Sequence, residues 1–311
     1  MKLSLVVPCY NEAENVQLFA EKARENLVDI DYEIVFINDG SKDDTIKELK
    51  KIKEKKQENI TIVNFSRNFG KEAGIYAGFQ HAKGEYVTII DADLQQPLEV
   101  AREMYDFLET HEEYDAVAAY QEERKEGCVL TAFKSVFYSL INKLCDIELY
   151  KNASDFRCLR RNVVEAILSM PEYHRFSKGI FAWVGFETYY RPYEVQERNA
   201  GTSSWSFWSL LGYAMEGVIS FSTKPLKVVI SAGVFTSAMA ILYMIVVIIQ
   251  KLVFGIAIPG YPTIIVLILL IGGIQLTVMG IIGEYLAKVH IEVKDRPIYI
   301  AKEVLESTKE E

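Results

Sequence analysis

Cysteine and histidine are both scarce in this 311-residue chain, at four of each. Cys9, Cys128, Cys145 and Cys158 show no paired short spacing, which argues against a zinc site or a disulfide framework and reads as reduced thiols in a cytosolic domain. His81, His111, His174 and His290 stand singly, so any metal is expected to be held by oxygen. A basic excess is missing as well: 34 Lys and Arg face 43 Asp and Glu, a net charge of -9, and a nucleic-acid binder would normally show a basic face. There is no internal repeat and no low-complexity linker. Met1 to Val7 runs straight into polar Asn11, Glu12 and Glu14, without the h-region of a signal peptide. Charge itself thins out in one place. It fills the first two-thirds of the chain, whereas long uncharged runs dominate from Val228 to Gly283. The asymmetry predicts a soluble domain followed by a membrane segment.

In the soluble part, apolar runs alternate with helical periodicity. Strands are predicted at Leu3 to Val7, Glu33 to Ile37, Ile60 to Phe65, Tyr86 to Ile90 and Ala116 to Tyr120. Helices are predicted between them: Glu14 to Asn26, Thr45 to Lys56, Lys71 to Ala82, and one opened by Pro97 and ending near His111. Alternation of this kind implies right-handed crossovers and a doubly wound, mostly parallel, Rossmann-like α/β sheet. Ligands of such sheets gather at the carboxyl ends of the strands. Polar clusters stand at those ends: Tyr10 to Glu12, Asn38 to Ser41, Ser66 to Lys71 and Asp91 to Gln95. Further on, Thr131 to Leu149 looks helical, Phe156 to Met170 mixes basic and apolar residues, and Phe176 to Tyr193 is rich in aromatics.

Val228 to Ile249 carries no charge over 22 residues, roughly 33 Å of helix, which is enough to cross a hydrocarbon core of about 30 Å. Pro259-Gly260-Tyr261-Pro262 breaks the next apolar run and leaves Thr263 to Gly283 as a second span. Lys224 and Lys227 precede the hairpin and Lys288, Lys294 and Arg296 follow it, whereas its loop has only Lys251. The positive-inside rule then places both termini in the cytosol. Gly233 with Ser237, and Gly273 with Gly280, offer small faces for the hairpin itself or for a homo-oligomer. Before the first span, Trp205, Trp208, Leu211, Met215 and Ile219 recur at three- and four-residue spacing. They fit a helix lying in the bilayer interface or, alternatively, a core helix of the soluble domain. The expected division is a catalytic-type domain at 1–203, an interfacial helix at 204–226, a hairpin at 227–287 (spans at about 228–250 and 263–284) and a cytosolic tail at 288–311.

Asp91-Ala92-Asp93 is placed at the end of the fourth strand. Two carboxylates one residue apart repel unless a cation sits between them, and hard oxygen donors suit Mg2+ or Mn2+ completed by a diphosphate. Gln95 can add an amide oxygen. Asp39 stands in a turn, where it is either a hydrogen-bond acceptor for a nucleoside or a plain turn aspartate. Arg67 and Lys71 are within reach of phosphates or simply solvated, and Asp155 with Arg157 reads equally as an ion pair.

Taken together, the stretches VVPCYNE (Val6 to Glu12), NDGS (Asn38 to Ser41), FSRNFGKEAG (Phe65 to Gly74), DADLQQP (Asp91 to Pro97), SDFRCL (Ser154 to Leu159), RFSKGIFAWVGF (Arg175 to Phe186) and RNAGTSSW (Arg198 to Trp205) resemble the family 2 glycosyltransferases. The resemblance is to the polyprenyl-phosphate branch, which includes dolichol-phosphate mannose synthase and the bactoprenol glucosyltransferases. It spans nearly the whole chain and implies a GT-A-type domain that takes a nucleotide sugar and glycosylates a polyprenyl phosphate at the membrane. Position by position, it implies that Pro8, Tyr10, Glu12 and Asp39 hold the nucleoside, with Lys71 and Asp91 beside the nucleotide. Asp91, Asp93 and Gln95 would form the metal site, Asp155 would face the acceptor phosphate and the sugar, and Arg124 and Arg198 would partner phosphates. Asp93 and Asp155 are thus expected to carry catalysis. Two positions depart from the pattern: Asn38 replaces the first Asp of DDGS, and Ser204 stands where many relatives carry Lys. UDP-glucose is the expected donor, with GDP-mannose the alternative. A processive polysaccharide synthase would need Q-x-x-R-W and more spans, and a non-catalytic scaffold would not need Asp91, Asp93, Gln95 and Asp155.

Overall fold

The computed structural model describes residues 1–55, 59–121, 150, 153–194, 222, 224–254 and 260–306. Its centre is an eight-stranded mixed sheet in the order β7-β5-β6-β4-β1-β2-β3-β8. β1 (Leu3–Cys9), β2 (Tyr32–Asn38), β3 (Asn59–Phe65) and β4 (Tyr86–Ile89) run parallel, joined by helices α1 (Val16–Asn26), α2 (Thr45–Glu54) and α3 (Lys71–His81). These are the parallel strands and crossovers that the apolar periodicity predicts. Leu3, Leu5 and Val7 of β1 face a core built with Phe19 and Phe36, while Val6 points into a second core with Ile37, Val63 and Phe79. Burial on both faces is why the strand reads as an unbroken apolar run. α3 lies so close over β1 that a Cβ at Gly78 would strike the Val6 side chain.

β4 leads into α4 (Leu98–Thr110), β5 (Ala116–Gln121) and then β6 (Ala153–Arg160), which inserts antiparallel between β4 and β5. Residues 153–160 show no strand periodicity in the sequence. Phe156 and Cys158 face one core, whereas Asp155, Arg157 and Leu159 face the other, so charges interrupt the apolar alternation. α5 (Arg161–Leu168), α6 (Ser177–Trp183) and β7 (Thr188–Tyr193) follow, and β7 pairs parallel with β5.

Two long apolar helices, α7 (Lys224–Phe254) and α8 (Tyr261–Val293), come next, with candidate spans at Leu226–Gln250 and Leu270–Val293. At 1.5 Å per residue their 31 and 33 residues reach about 46 and 50 Å, longer than the spans expected from charge-free runs alone. An added Cβ at Gly233, Gly273 or Gly280 would meet no described atom within 4 Å.

The segment 288–311, expected to be a tail, is not detached. Its β8 (Ala301–Leu305) adds antiparallel to the β3 edge, Tyr299 stacks on Phe65 at 4.8 Å, and Lys50 and Lys83 pair with Glu303 and Glu306. One sheet therefore holds chain from both sides of the hairpin. The predicted helix at 131–149, the interfacial segment 204–221, Arg124 and Arg198 lie outside the described residues.

Candidate active site at the strand ends

The strand order reverses between β1 and β4, and the polar clusters converge on that switch point. Asn11, at φ 57°, turns the chain sharply after β1: its amide donates to Ser41 Oγ (3.0 Å) and its side-chain oxygen accepts from the Lys42 amide (2.9 Å). Pro8 lies beneath α3, and a Cβ at Gly74 would sit 3.4 Å from its ring. Tyr10 is exposed at the mouth, while the Glu12 carboxylate accepts from Asn15 Nδ2 at 2.6 Å.

Asp39 is buried. Its two oxygens accept from the backbone amides of Phe69 (2.6 Å) and Gly70 (2.9 Å), so it holds the loop after β3 that starts α3. Burial pushes its carboxyl above the ordinary range, against the pull of those two amides. Gly40, at φ +61°, is required at this junction: a Cβ there would press on the Arg67 carbonyl carbon and lie 2.5 Å from the Asn68 nitrogen.

Held in this way, α3 delivers Lys71 between two carboxylates. Its Nζ lies 2.7 Å from Asp91 Oδ1 and 3.6 Å from Asp155 Oδ2. Burial disfavours the ammonium, but Asp91 and Asp155 more than offset this and hold its pKa above the usual lysine value. Asp91 is fixed from the other side as well: its amide donates to Gln96 Oε1 (2.8 Å) and Gln96 Nε2 donates to Asp91 Oδ2 (3.0 Å). Leu94, at φ 60°, folds the DADLQQP loop back so that Gln96 can make this clamp. Asp93 is buried and accepts from the Gln95 amide at 3.1 Å, and Gln95 itself is half-buried.

Asp155 extends from β6. Its burial favours the neutral acid, yet Lys71, Lys178 and Arg157, in that order, hold its carboxyl below the usual range. Oδ1 is nevertheless buried without a hydrogen-bond partner among the described residues. Arg157 is buried beside it with its guanidinium 4.1 Å from the Phe181 ring centre; burial lowers its pKa to about 10. The structure thus brings Lys71, Asp91 and Asp155 together at the ends of three elements that are far apart in sequence. Gln96 and Glu72 are partners that the sequence alone does not assign, although each lies inside a stretch singled out there, whereas Arg157 already reads there as a partner of Asp155.

The residue types of the DADLQQP loop, carboxylates at Asp91 and Asp93 and an amide oxygen at Gln95, suit a hard divalent cation, although both Asp91 oxygens are here engaged by Lys71 and Gln96. No group of three or more acidic, His or Cys residues that could hold a metal converges among the described residues.

Residues 4–168 match the family described as Glycosyl transferase family 2, and residues 224–289 match the GtrB C-terminal hairpin. The chain is 44% identical to CsbB of Bacillus subtilis (strain 168) over 304 residues, covering 97% of this chain and 91% of that one. It is 42% identical to the bactoprenol glucosyl transferase of Shigella phage SfII over 305 residues, covering 97% and 98% of the two. The solved mannosyltransferase PcManGT from Pyrobaculum calidifontis, in complex with GDP-Man and Mn2+, is more distant: TM-score 0.46 at 17% identity, over 92% of this chain and 87% of that one.

Proposed function

We propose, for a chain that belongs to glycosyl transferase family 2 and carries the GtrB-type hairpin, that it moves glucose from UDP-glucose to polyprenyl phosphate at the cytosolic face of a membrane. The observation that carries the reading is the Lys71 bridge, which joins the nucleotide-side carboxylate Asp91 to the acceptor-side carboxylate Asp155 at the switch point of the sheet. A family 2 domain needs donor diphosphate and acceptor to meet at one place, and the position of this cation supports that place being the switch point.

The nucleoside lies against Tyr10 at the mouth of the β1 end, on a floor made rigid by Asn11, Ser41 and Asp39. Lys71 sits where negative charge grows on the departing diphosphate. Asp91, Asp93 and Gln95 would hold Mg2+ or Mn2+, which when bound supplies Lewis-acid neutralisation of that diphosphate. The acceptor phosphate is already anionic near neutral pH, so little base activation is needed. One of its oxygens attacks the anomeric carbon in line; the new C–O bond forms as the bond to UDP breaks, with inversion. Asp155, kept ionised by three cations and with an oxygen that has no partner among the described residues, is suited to accept a hydrogen bond from a monoprotonated phosphate or a sugar hydroxyl. A low pKa makes it a better orienting group than base. Arg157 supplies a buried cation on the acceptor side, and Arg124 and Arg198 remain proposed phosphate partners. The hairpin would anchor the domain at the lipid surface, and the pairing of β8 with β3 supports a topology in which the chain before and after the hairpin lies on one side of the bilayer.

The test is transfer of radiolabelled sugar into an organic-extractable lipid by the purified full chain, given undecaprenyl phosphate and each of several nucleotide sugars. Chelator-sensitive transfer from UDP-glucose is expected. Transfer from GDP-mannose alone would replace the donor. No transfer from any donor by folded protein would overturn the reading. Asp155→Asn should bind donor normally yet turn over at least tenfold more slowly.

A further inference from the structure

RFSKGIFAWVGF is the one described motif to which the reaction above gives no role. Most of it forms helix α6 and the turn before it, and α6 carries one group that acts on Asp155 and one that packs on the neighbouring Arg157. Lys178 contributes the second-largest attraction that keeps Asp155 ionised, and Phe181 provides the ring over which Arg157 lies. The placement of α6 therefore sets the electrostatics around the acceptor-side carboxylate. Beyond the core packing of Ile180 and Phe181, one side chain fastens the start of α6. Glu72, next to Lys71 on α3, accepts from the Ser177 amide with both oxygens (3.1 and 3.0 Å) and from the Ser177 hydroxyl. Ser177 is buried at the first position of α6, where backbone N–H groups have no partner within the helix. Arg175, buried in the preceding turn, lies over the Tyr76 ring of α3 at 4.5 Å and donates to the Met170 carbonyl at 2.5 Å, which makes a second fastening between the same elements.

We propose that Glu72 is a positioning residue: it locks α6 onto α3, so that Lys71, Lys178 and Arg157 are held together around Asp155. The role rests on the glycosyl-transfer reading for its effect on rate, whereas the lock itself is a property of the fold. Glu72 is a costly residue for a merely structural cap. It is half-buried next to ionised Asp155, and desolvation and that neighbour raise its carboxyl to about 7 against the pull of Ser177 and Arg175. The groups facing the pair are Lys71 from α3, Arg157 from β6, Lys178 from α6, and Arg175 with its partner Glu172 from the connecting loop; Tyr190 of β7 faces Arg157.

The full chain in detergent is compared as wild type, Glu72→Ala and Glu72→Gln. In Glu72→Ala, amide exchange of residues 177–183 should quicken while α4 stays protected. Its kcat should fall about 10- to 100-fold, because small misplacements of a site have that effect, with donor KM within about twofold. The acid limb of its pH–rate profile should move up, because Lys178, carried on α6, no longer holds Asp155 down. Glu72→Gln keeps an oxygen for Ser177 and should restore both the α6 protection and most of kcat. Unchanged α6 exchange in Glu72→Ala overturns the lock, whether or not transfer is detected. Faster exchange with wild-type kcat and pH profile overturns the role in positioning. A Gln variant with protected α6 yet the rate of Glu72→Ala overturns it too, since the charge and not the placement would then matter. An inactive wild type defeats the glycosyl-transfer reading and leaves the exchange measurement to decide the lock.

Discussion

Replacing Lys71 with methionine removes the cation between Asp91 and Asp155 while keeping most of the side-chain volume. At 2.7 and 3.6 Å, and with an effective dielectric of about 20, the two attractions come to roughly 6 and 5 kcal/mol before desolvation. The Lys71 side chain is 43% exposed, however, so water screens much of this. The net worth lies between the limits for exposed and buried pairs, about 2–3 kcal/mol. Spent on the charge of the departing diphosphate, that amount corresponds to a fall of about 30- to 160-fold in kcat. A second signature has a definite sign. Lys71 is the strongest of the three cations that hold the Asp155 carboxyl below its usual range, against burial. Without it that carboxyl rises, so a step that needs ionised Asp155 fails at a higher pH as the solution is acidified. Initial rates of sugar transfer to undecaprenyl phosphate, measured from mildly acidic to mildly basic pH, read both effects. A Lys71→Met enzyme with kcat within threefold of wild type and an unmoved acid limb would refute the bridge as the organising feature of the site.

Asp93→Asn should lower transfer at least 100-fold and shift the divalent-cation titration to higher concentration; wild-type rates at low Mg2+ or Mn2+ would remove Asp93 from the metal site. Gly40→Ala forces a left-handed backbone on an L side chain and drives its Cβ into the Arg67–Asn68 backbone, so about 2–4 kcal/mol of stability should be lost in denaturant titration. A loss under 0.5 kcal/mol would show that the two loops separate easily. Deleting residues 301–311 bares the β3 edge and removes the Glu303 and Glu306 pairs, so the truncated chain should melt several degrees lower and exchange β3 amides faster. An unchanged melting temperature would mean that the strand is dispensable.

Several features were legible before any tertiary structure because their causes are local. A strand buried on both faces must be apolar throughout, and a helix crossing a hydrocarbon core must stay uncharged for its whole length. β1 to β5, the helices between them and the hairpin could therefore be read from runs and periods. The clusters at Tyr10, Asp39, Lys71 and Asp91 were legible for a related reason: polar residues ending apolar strands mark the ligand edge of a parallel sheet. Other features depend on which distant segments meet. β6 carries Asp155 and Arg157 on the face of a core strand, so its own chemistry hides its period, and only pairing with β4 and β5 reveals it. β8 is a five-residue edge strand whose partner lies more than 200 residues earlier. Lys71 could be seen near phosphates, but not as a bridge between Asp91 and Asp155, which requires the end of β6 to lie beside the end of β4. Gln96 becomes a clamp only through the left-handed turn at Leu94, and Glu72 becomes a lock only when α6 packs on α3. Composition along the chain determined the layers and the membrane anchor, since solvent and lipid act on each segment separately. Tertiary structure decided which charges face one another, since that depends on register between segments the sequence keeps apart.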